Sequence, residues 1–333
     1  MGTTRLLFST KFYLLFICTV CAGILLLYPV PAIEAVREAM RLCWDTIIPS
    51  LFPFLVISSL LTDLLPQRTL RRYLSPLTQP LFRLSGSSAA VLALGFTGGY
   101  PVGVRTTTAL YKNGSLNRSE AEHLLSFSNN SGPGFLLGVV GIGVFESTAV
   151  GLWLYTIHIA SALFIGILFR FHRKDAPNCP APAHCRNISK NFPTMFTEAI
   201  TGSFLAILNI CAFVFFFMIA LRMLSFTGIL HVLSSSAAFL LAPFGMTEYL
   251  ATALIAGILE LSTGSACLHG IALTPGTAAL ASFLLGWGGF SVHCQSLTFI
   301  LETDLSCKSY FIGKLLQVIV SSILAFLLFS ILL

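Results

Sequence analysis

Four short runs carry residue types that can hold a small solute inside an apolar chain. They are Gly98-Gly99-Tyr100-Pro101, Asn129-Asn130-Ser131-Gly132-Pro133-Gly134, Ser262-Thr263-Gly264 and Gly286-Trp287-Gly288-Gly289-Phe290-Ser291. Each interrupts a long apolar stretch. A helix broken there leaves backbone N–H and C=O groups without intrahelical partners. Lipid cannot satisfy such groups, so the breaks must be buried in protein or line a watery cavity. Free N–H groups at helix starts attract anions, and free carbonyls hold cations. Small residues in membrane helices also serve close packing. Four breaks bearing Asn, Pro and Ser favour a solute site.

Ionisable residues inside apolar segments sharpen that reading, because each is costly without a use or a partner. Arg105 follows the first break by four residues and is placed to bind an anion. Glu260 lies just before the third break, where it can balance that charge or take a proton or cation. His293 and Gln295 follow the fourth. His158 sits mid-span without polar company and reads as structural. The candidate binding set is therefore Gly98, Gly99, Tyr100, Arg105, Asn129, Asn130, Ser131, Glu260, Ser262, Thr263, Gly264, Ser291, His293 and Gln295. No Gly-Lys-Ser/Thr follows the glycines at 98 and 99, so they form no phosphate loop. No serine has a His/Asp partner at readable spacing, and no catalytic role is expected. Cys179, His184 and Cys185, with His172 nearby, match no zinc spacing, so neither a metal nor a cofactor is expected. Cys18, Cys21, Cys43, Cys211, Cys267 and Cys294 lie in or beside apolar runs and read as small core residues.

The elements that must position these residues follow from composition. Of 333 residues, 56% are apolar and 10% charged, against about 25% charged in a soluble domain. A soluble enzyme, a nucleic-acid binder and a disordered chain are excluded for the whole chain. The apolar runs are continuous rather than alternating, which disfavours a β-barrel. The expected fold is an all-α polytopic membrane protein in a lipid bilayer, with about seven full spans. Phe12–Val30 reads as a retained first span, Ala32–Asp45 as an interfacial helix, and Thr46–Leu65 as the second span. Pro66–Leu84 is a basic amphipathic segment with Arg68, Arg71, Arg72 and Arg83.

The second half restarts the pattern of the first. Glu34-Ala35 falls on Glu198-Ala199 at an offset of 164 residues, and the break at Gly98-Gly99 then falls on Ser262-Thr263. The reading divides the chain into a first helix (1–31), one repeat (32–169), a basic cytoplasmic linker (170–195) and a second repeat (196–333). Each repeat holds one span, an interfacial segment, a re-entrant hairpin and two further spans. Three crossings per repeat require the second to be inverted. With the N-terminus inside, fifteen of the 19 lysines and arginines, Lys308 and Lys314 among them, fall on the cytoplasmic side. Only Arg37, Arg41 and Arg222 fall outside, a strong positive-inside bias. Phe226–Phe244 is apolar enough to span, which would spoil the inversion. Paired broken helices at a repeat interface are the architecture of secondary transporters.

Two long motifs, Gly95–Gly103 (GFTGGYPVG) and Phe127–Pro133 (FSNNSGP), resemble the YlbJ-type sporulation integral membrane proteins. Trp44–Phe54 (WDTIIPSLFPF) and Gly286–His293 (GWGGFSVH) add to the likeness. That family carries the nucleoside-recognition "gate" domain. The resemblance covers most of the chain. It implies distant kinship with concentrative nucleoside transporters, whose paired re-entrant hairpins hold substrate. It also implies a part in spore formation, with dipicolinic acid carried across the outer forespore membrane from the mother cell. The expectation is a secondary transporter of a small organic anion, with a proton or cation as coupling partner and a homo-oligomer as an open assembly. The alternatives are a nucleoside-like solute, or a gating or scaffold subunit that transports nothing.

Overall fold

Helices account for the long elements of this chain, and among the described residues there are no strands. The computed structural model describes residues 2–64, 67–171 and 191–333. Most of the linker, with His172, Cys179, His184 and Cys185, lies outside the described residues. Helix α1 is Gly2–Leu27, α2 is Pro29–Arg41 and α3 is Ile48–Leu64, the last two joined by a π-helical stretch at Leu42–Ile47. Then come α4 (Gln67–Phe82), α5 (Ser88–Thr97), α6 (Val102–Lys112) and α7 (Arg118–Leu125). A wide helix, Gly134–Val144, leads into α8 (Thr148–Phe169). The second half runs α9 (Phe192–Phe226), α10 (Ile229–Leu241), α11 (Glu248–Leu259), α12 (Leu261–Ala266), α13 (Pro275–Trp287), α14 (Gly289–Ile300) and α15 (Cys307–Leu332).

Among the described residues, four helices are long and apolar enough to cross a membrane: 29–61, α8, α9 and α15. That is fewer than the about seven full spans expected, because α13 and α14 are separated at Gly288 and the 134–144 helix has only 11 residues. The helix expected as a separate element at Ala32–Asp45 is not separate, because α2 continues through the wide turn into α3 as one element of 33 residues, long and apolar enough to span. The wide turn at 42–47 lies directly ahead of Pro49, whose ring would clash with the carbonyl four residues earlier in a regular helix. At 1.5 Å per residue this rod is about 50 Å long, against a hydrocarbon core of about 30 Å. Its charged start therefore extends past the apolar layer, where Glu38 pairs with Arg222 at the end of α9. Helix α10 has 13 residues, which is about 20 Å and short of a span. It meets α11 at a bend of 113°. Within Phe226–Phe244 the chain thus forms a short helix that reaches span length only together with α11, across the bend.

Packing between the halves is reciprocal. Helices α5 and α6 form one hairpin and α11 and α12 another. The limb α6 packs on α14, while α12 packs on the wide helix 134–144. Likewise α7 packs on α15 and α13 on α8, and the long rods α3 and α9 lie together. Close approach depends on small residues, as membrane interiors favour. A Cβ on Gly264 would lie 2.1 Å from Gly257 Cα, so the second hairpin closes backbone to backbone. Of the cysteines read as core, Cys43 and Cys211 are buried, whereas Cys18, Cys21 and Cys294 are exposed on faces the sequence could not orient.

Local sequence sets the helix starts. Asn117 caps α7 by accepting from Glu120 N at 2.8 Å, and Glu120 returns the capping box. Glu120 is fully buried and also accepts from Ser85 N at 2.9 Å, tying α7 to the start of α5. Glu120→Ala should therefore cost about 1–3 kcal/mol, because buried N–H groups lose their acceptor. The melting temperature of the purified protein checks this, and an unchanged value refutes it.

Candidate functional site

The four breaks meet, but the third is corrected: it lies at Glu260, between α11 and α12, and Ser262-Thr263-Gly264 form the first turns of α12, because Glu260 caps that helix. A Cβ on Gly132 would lie 3.1 Å from Gly99 Cα, so the first and second breaks touch through backbone. Gly288 and Gly289 adopt φ of 84° and 83°, a left-handed conformation suited to glycine. A Cβ on Gly288 would lie 3.3 Å from the Tyr100 ring, and one on Gly289 would lie 2.9 Å from Leu261 N. The fourth break therefore seats the first and third together.

Around these breaks opens a cavity of about 760 Å³. Of the residues expected to bind solute, Gly98, Gly99, Tyr100, Arg105, Ser131, Glu260, Ser262, Ser291 and Gln295 line it. Helices α3 and α9 close the other side with Leu51, Phe54, Leu55, Asn209 and Phe213. The wall is thus mostly apolar with a few convergent polar groups, the usual make-up of a small-molecule site. Arg105 is exposed to this space and forms no ion pair among the described residues. Glu260 is buried and holds the start of α12, accepting from Thr263 N at 2.7 Å and Thr263 Oγ1 at 2.9 Å. The two charges expected across the site share the cavity without pairing.

Five expected residues lie behind the wall instead. Asn129 donates to Ser296 Oγ at 3.0 Å, and Asn130 donates to Phe127 O at 2.7 Å. Both satisfy the backbone and side chains of the broken segments rather than a solute. Thr263 is taken up by Glu260, and Gly264 is pressed against Gly257. His293 Nδ1 bonds Tyr310 Oη at 2.8 Å beneath Trp287. His158 does have polar company, against expectation: its Nε2 accepts from Ser131 N at 3.1 Å. It supplies a partner to the broken backbone of the second break.

Sequence reasoning missed Lys314. It was counted with the cytoplasmic charges, yet it is 2% exposed in the interior. Its Nζ donates to Tyr100 Oη at 2.9 Å, Gly286 O at 3.3 Å and Gln317 Oε1 at 3.1 Å. Gln317 Nε2 then donates to Asn130 Oδ1 at 2.8 Å. The signal was present: Lys314 and Gln317 stand three apart on one face of an otherwise apolar helix. Its closeness to Lys308 and the polar turn hid it.

The chain is 30% identical over 343 aligned residues to the sporulation integral membrane protein YlbJ of Bacillus subtilis (strain 168). The match covers 97% of this chain and 83% of that protein. The chain belongs to the YlbJ-type sporulation integral membrane protein family. It is an integral membrane protein. No protein-family model matches it. Among solved structures, a point variant of CNTnw in the intermediate 3 state is similar at a TM-score of 0.49 and 15% identity, over 98% of this chain and 86% of that one.

The two motifs that carry the family likeness turn out to be partners in space. A Cβ on Gly95 or Gly103 would lie 2.0 or 2.1 Å from Ser128 O, so both limbs of the α5–α6 hairpin grip the 127–133 stretch of backbone. The glycines of one motif are there to let the other pass. In this YlbJ-type protein the hairpin and the broken segment therefore pack backbone to backbone in one wall of the cavity.

Proposed function

We propose that this protein is a secondary transporter of a small organic anion, with dipicolinate as substrate, acting in the outer forespore membrane during spore formation. One observation carries the reading: four helix breaks, two from each half, converge on a single cavity of about 760 Å³ that Arg105 lines with no ion pair among the described residues. A cavity of that size is in the range of drug-sized ligand sites. The guanidinium fork suits a carboxylate, and the polar groups along the wall, Ser131, Ser262, Ser291 and Gln295, suit a second carboxylate or a ring nitrogen. The choice of dipicolinate rests on the family.

The proposal includes two inverted units, 32–169 and 196–333. The matching element order of the two halves and the reciprocal packing of hairpin on broken helix support this. Access would alternate as the hairpins shift against the α3–α9 rods.

The test is uptake of labelled dipicolinate by proteoliposomes that hold this protein alone. Saturable uptake, displaced by unlabelled dipicolinate, is expected. Uptake of nucleosides with none of dipicolinate would replace the substrate. No uptake of either, by protein of normal fold, would favour the scaffold reading.

A further inference from the structure

Lys314 holds a position that the proposed transport does not explain. Its three N–H donors meet three acceptors: a phenol oxygen, an amide oxygen and a backbone carbonyl. None is charged. No carboxylate pairs with it among the described residues. A buried charge is costly without compensation; for Lys314 to carry a proton here, the compensation must come from dipoles. Gly286 lies in the last turn of α13, the negative end of that helix. Regular helical partners for Leu285 O and Gly286 O are lost at Gly288-Gly289. Tyr100 Oη instead donates to Leu285 O at 2.8 Å, and Lys314 covers Gly286 O. The Tyr100 ring adds its negative face, 4.6 Å from Nζ.

Neutral oxygens at the carbonyl end of a broken helix are the ligand set that transporters use for a monovalent cation. Here an ammonium stands in that set. We infer that Lys314 is a resident cation: its ammonium fills a monovalent-cation site at the 286–289 break and removes the need for an inorganic ion. Through Tyr100 and Gln317–Asn130 the same charge ties the first, second and fourth breaks together. The tether replaces a diffusible ion by a permanent one, so the breaks stay assembled in any salt. For transport the inference rests on the reading of the cavity as a solute site, and uptake should then proceed without Na⁺ or K⁺.

The site itself can be tested without solute. Melting temperatures of the purified full-length protein are compared in NaCl, KCl and N-methylglucamine chloride at matched ionic strength. The native protein should melt alike in all three. Lys314→Ala leaves the oxygens and vacates space for an ion. It should melt lower in N-methylglucamine and regain about 2–3 °C in Na⁺ or K⁺. Lys314→Met refills the space and should show no salt preference. A native protein stabilised by Na⁺ or K⁺ over N-methylglucamine overturns the inference. So does a folded Lys314→Ala indifferent to the salt, or one that folds in none of the three. Lack of solute uptake by the native protein would sink the transport reading and leave these melting curves standing.

Discussion

Dipicolinate uptake by Arg105→Ala should fall by about tenfold to a hundredfold, since a hydrogen bond to a charged group is worth about 1.5–3 kcal/mol. The lower end applies if water in the cavity screens the guanidinium, which is exposed there. Arg105→Lys keeps the charge but loses the planar fork, so it should sit between the two. Protein abundance should not change, because Arg105 holds no ion pair among the described residues whose loss would unsettle the fold. Glu260 differs. It caps α12 through Thr263, so its removal has a structural cost, and Glu260→Gln is the gentler probe because the amide oxygen can still accept. Uptake at the native level by Arg105→Ala, in protein of native abundance, would remove Arg105 from the site.

Folded protein should be largely lost in Gly103→Ala and Gly95→Ala. The added Cβ atoms would fall 2.1 and 2.0 Å from Ser128 O, a distance no carbon tolerates. The obstacle is backbone, not a side-chain tip that can swing away. Overpacking costs typically about 1–3 kcal/mol and more where nothing can yield, and here the hairpin must leave the broken segment altogether. Gly23→Ala is the control, since nothing lies within 4 Å of its would-be Cβ. It should hold or slightly raise stability, as alanine is the better helix former. Monodispersity in detergent and the melting temperature report both. Wild-type behaviour by Gly103→Ala would mean that the 95–103 and 127–133 motifs do not meet as described.

The sequence was informative wherever a single stretch carries the physics. Apolar run length gave the long helices, because a membrane helix satisfies its backbone within itself. Glycine and proline within those runs gave three of the breaks, for the same local reason; the third falls at Glu260, two residues ahead of the expected Ser262-Thr263-Gly264. Nine of the fourteen expected binding residues line the cavity, because the residue at a break tip has little scaffold on its open side. The other five lie one or two turns behind the tips or on the far face of the same backbone. Which face a broken segment turns to the cavity is not a local property.

Tertiary structure decided the rest. Charge placement read along the chain put Lys314 in the cytoplasm. In space α15 is packed against α13, and this packing carries Lys314 Nζ to the α13 C-terminus. His158 looked alone in its helix because its partner, Ser131 N, comes from a break 27 residues earlier. The charged start of α2 looked like a separate surface helix, since nothing local says that the rod continues through a wide turn. The sequence by itself determined that the chain is helical, membrane-embedded and broken at four places. Only the tertiary structure decided that the breaks share one cavity and that a lysine sits behind it. Hydrophobicity and helix breaking act within a few residues, whereas partner choice for a freed carbonyl depends on which helices pack beside it.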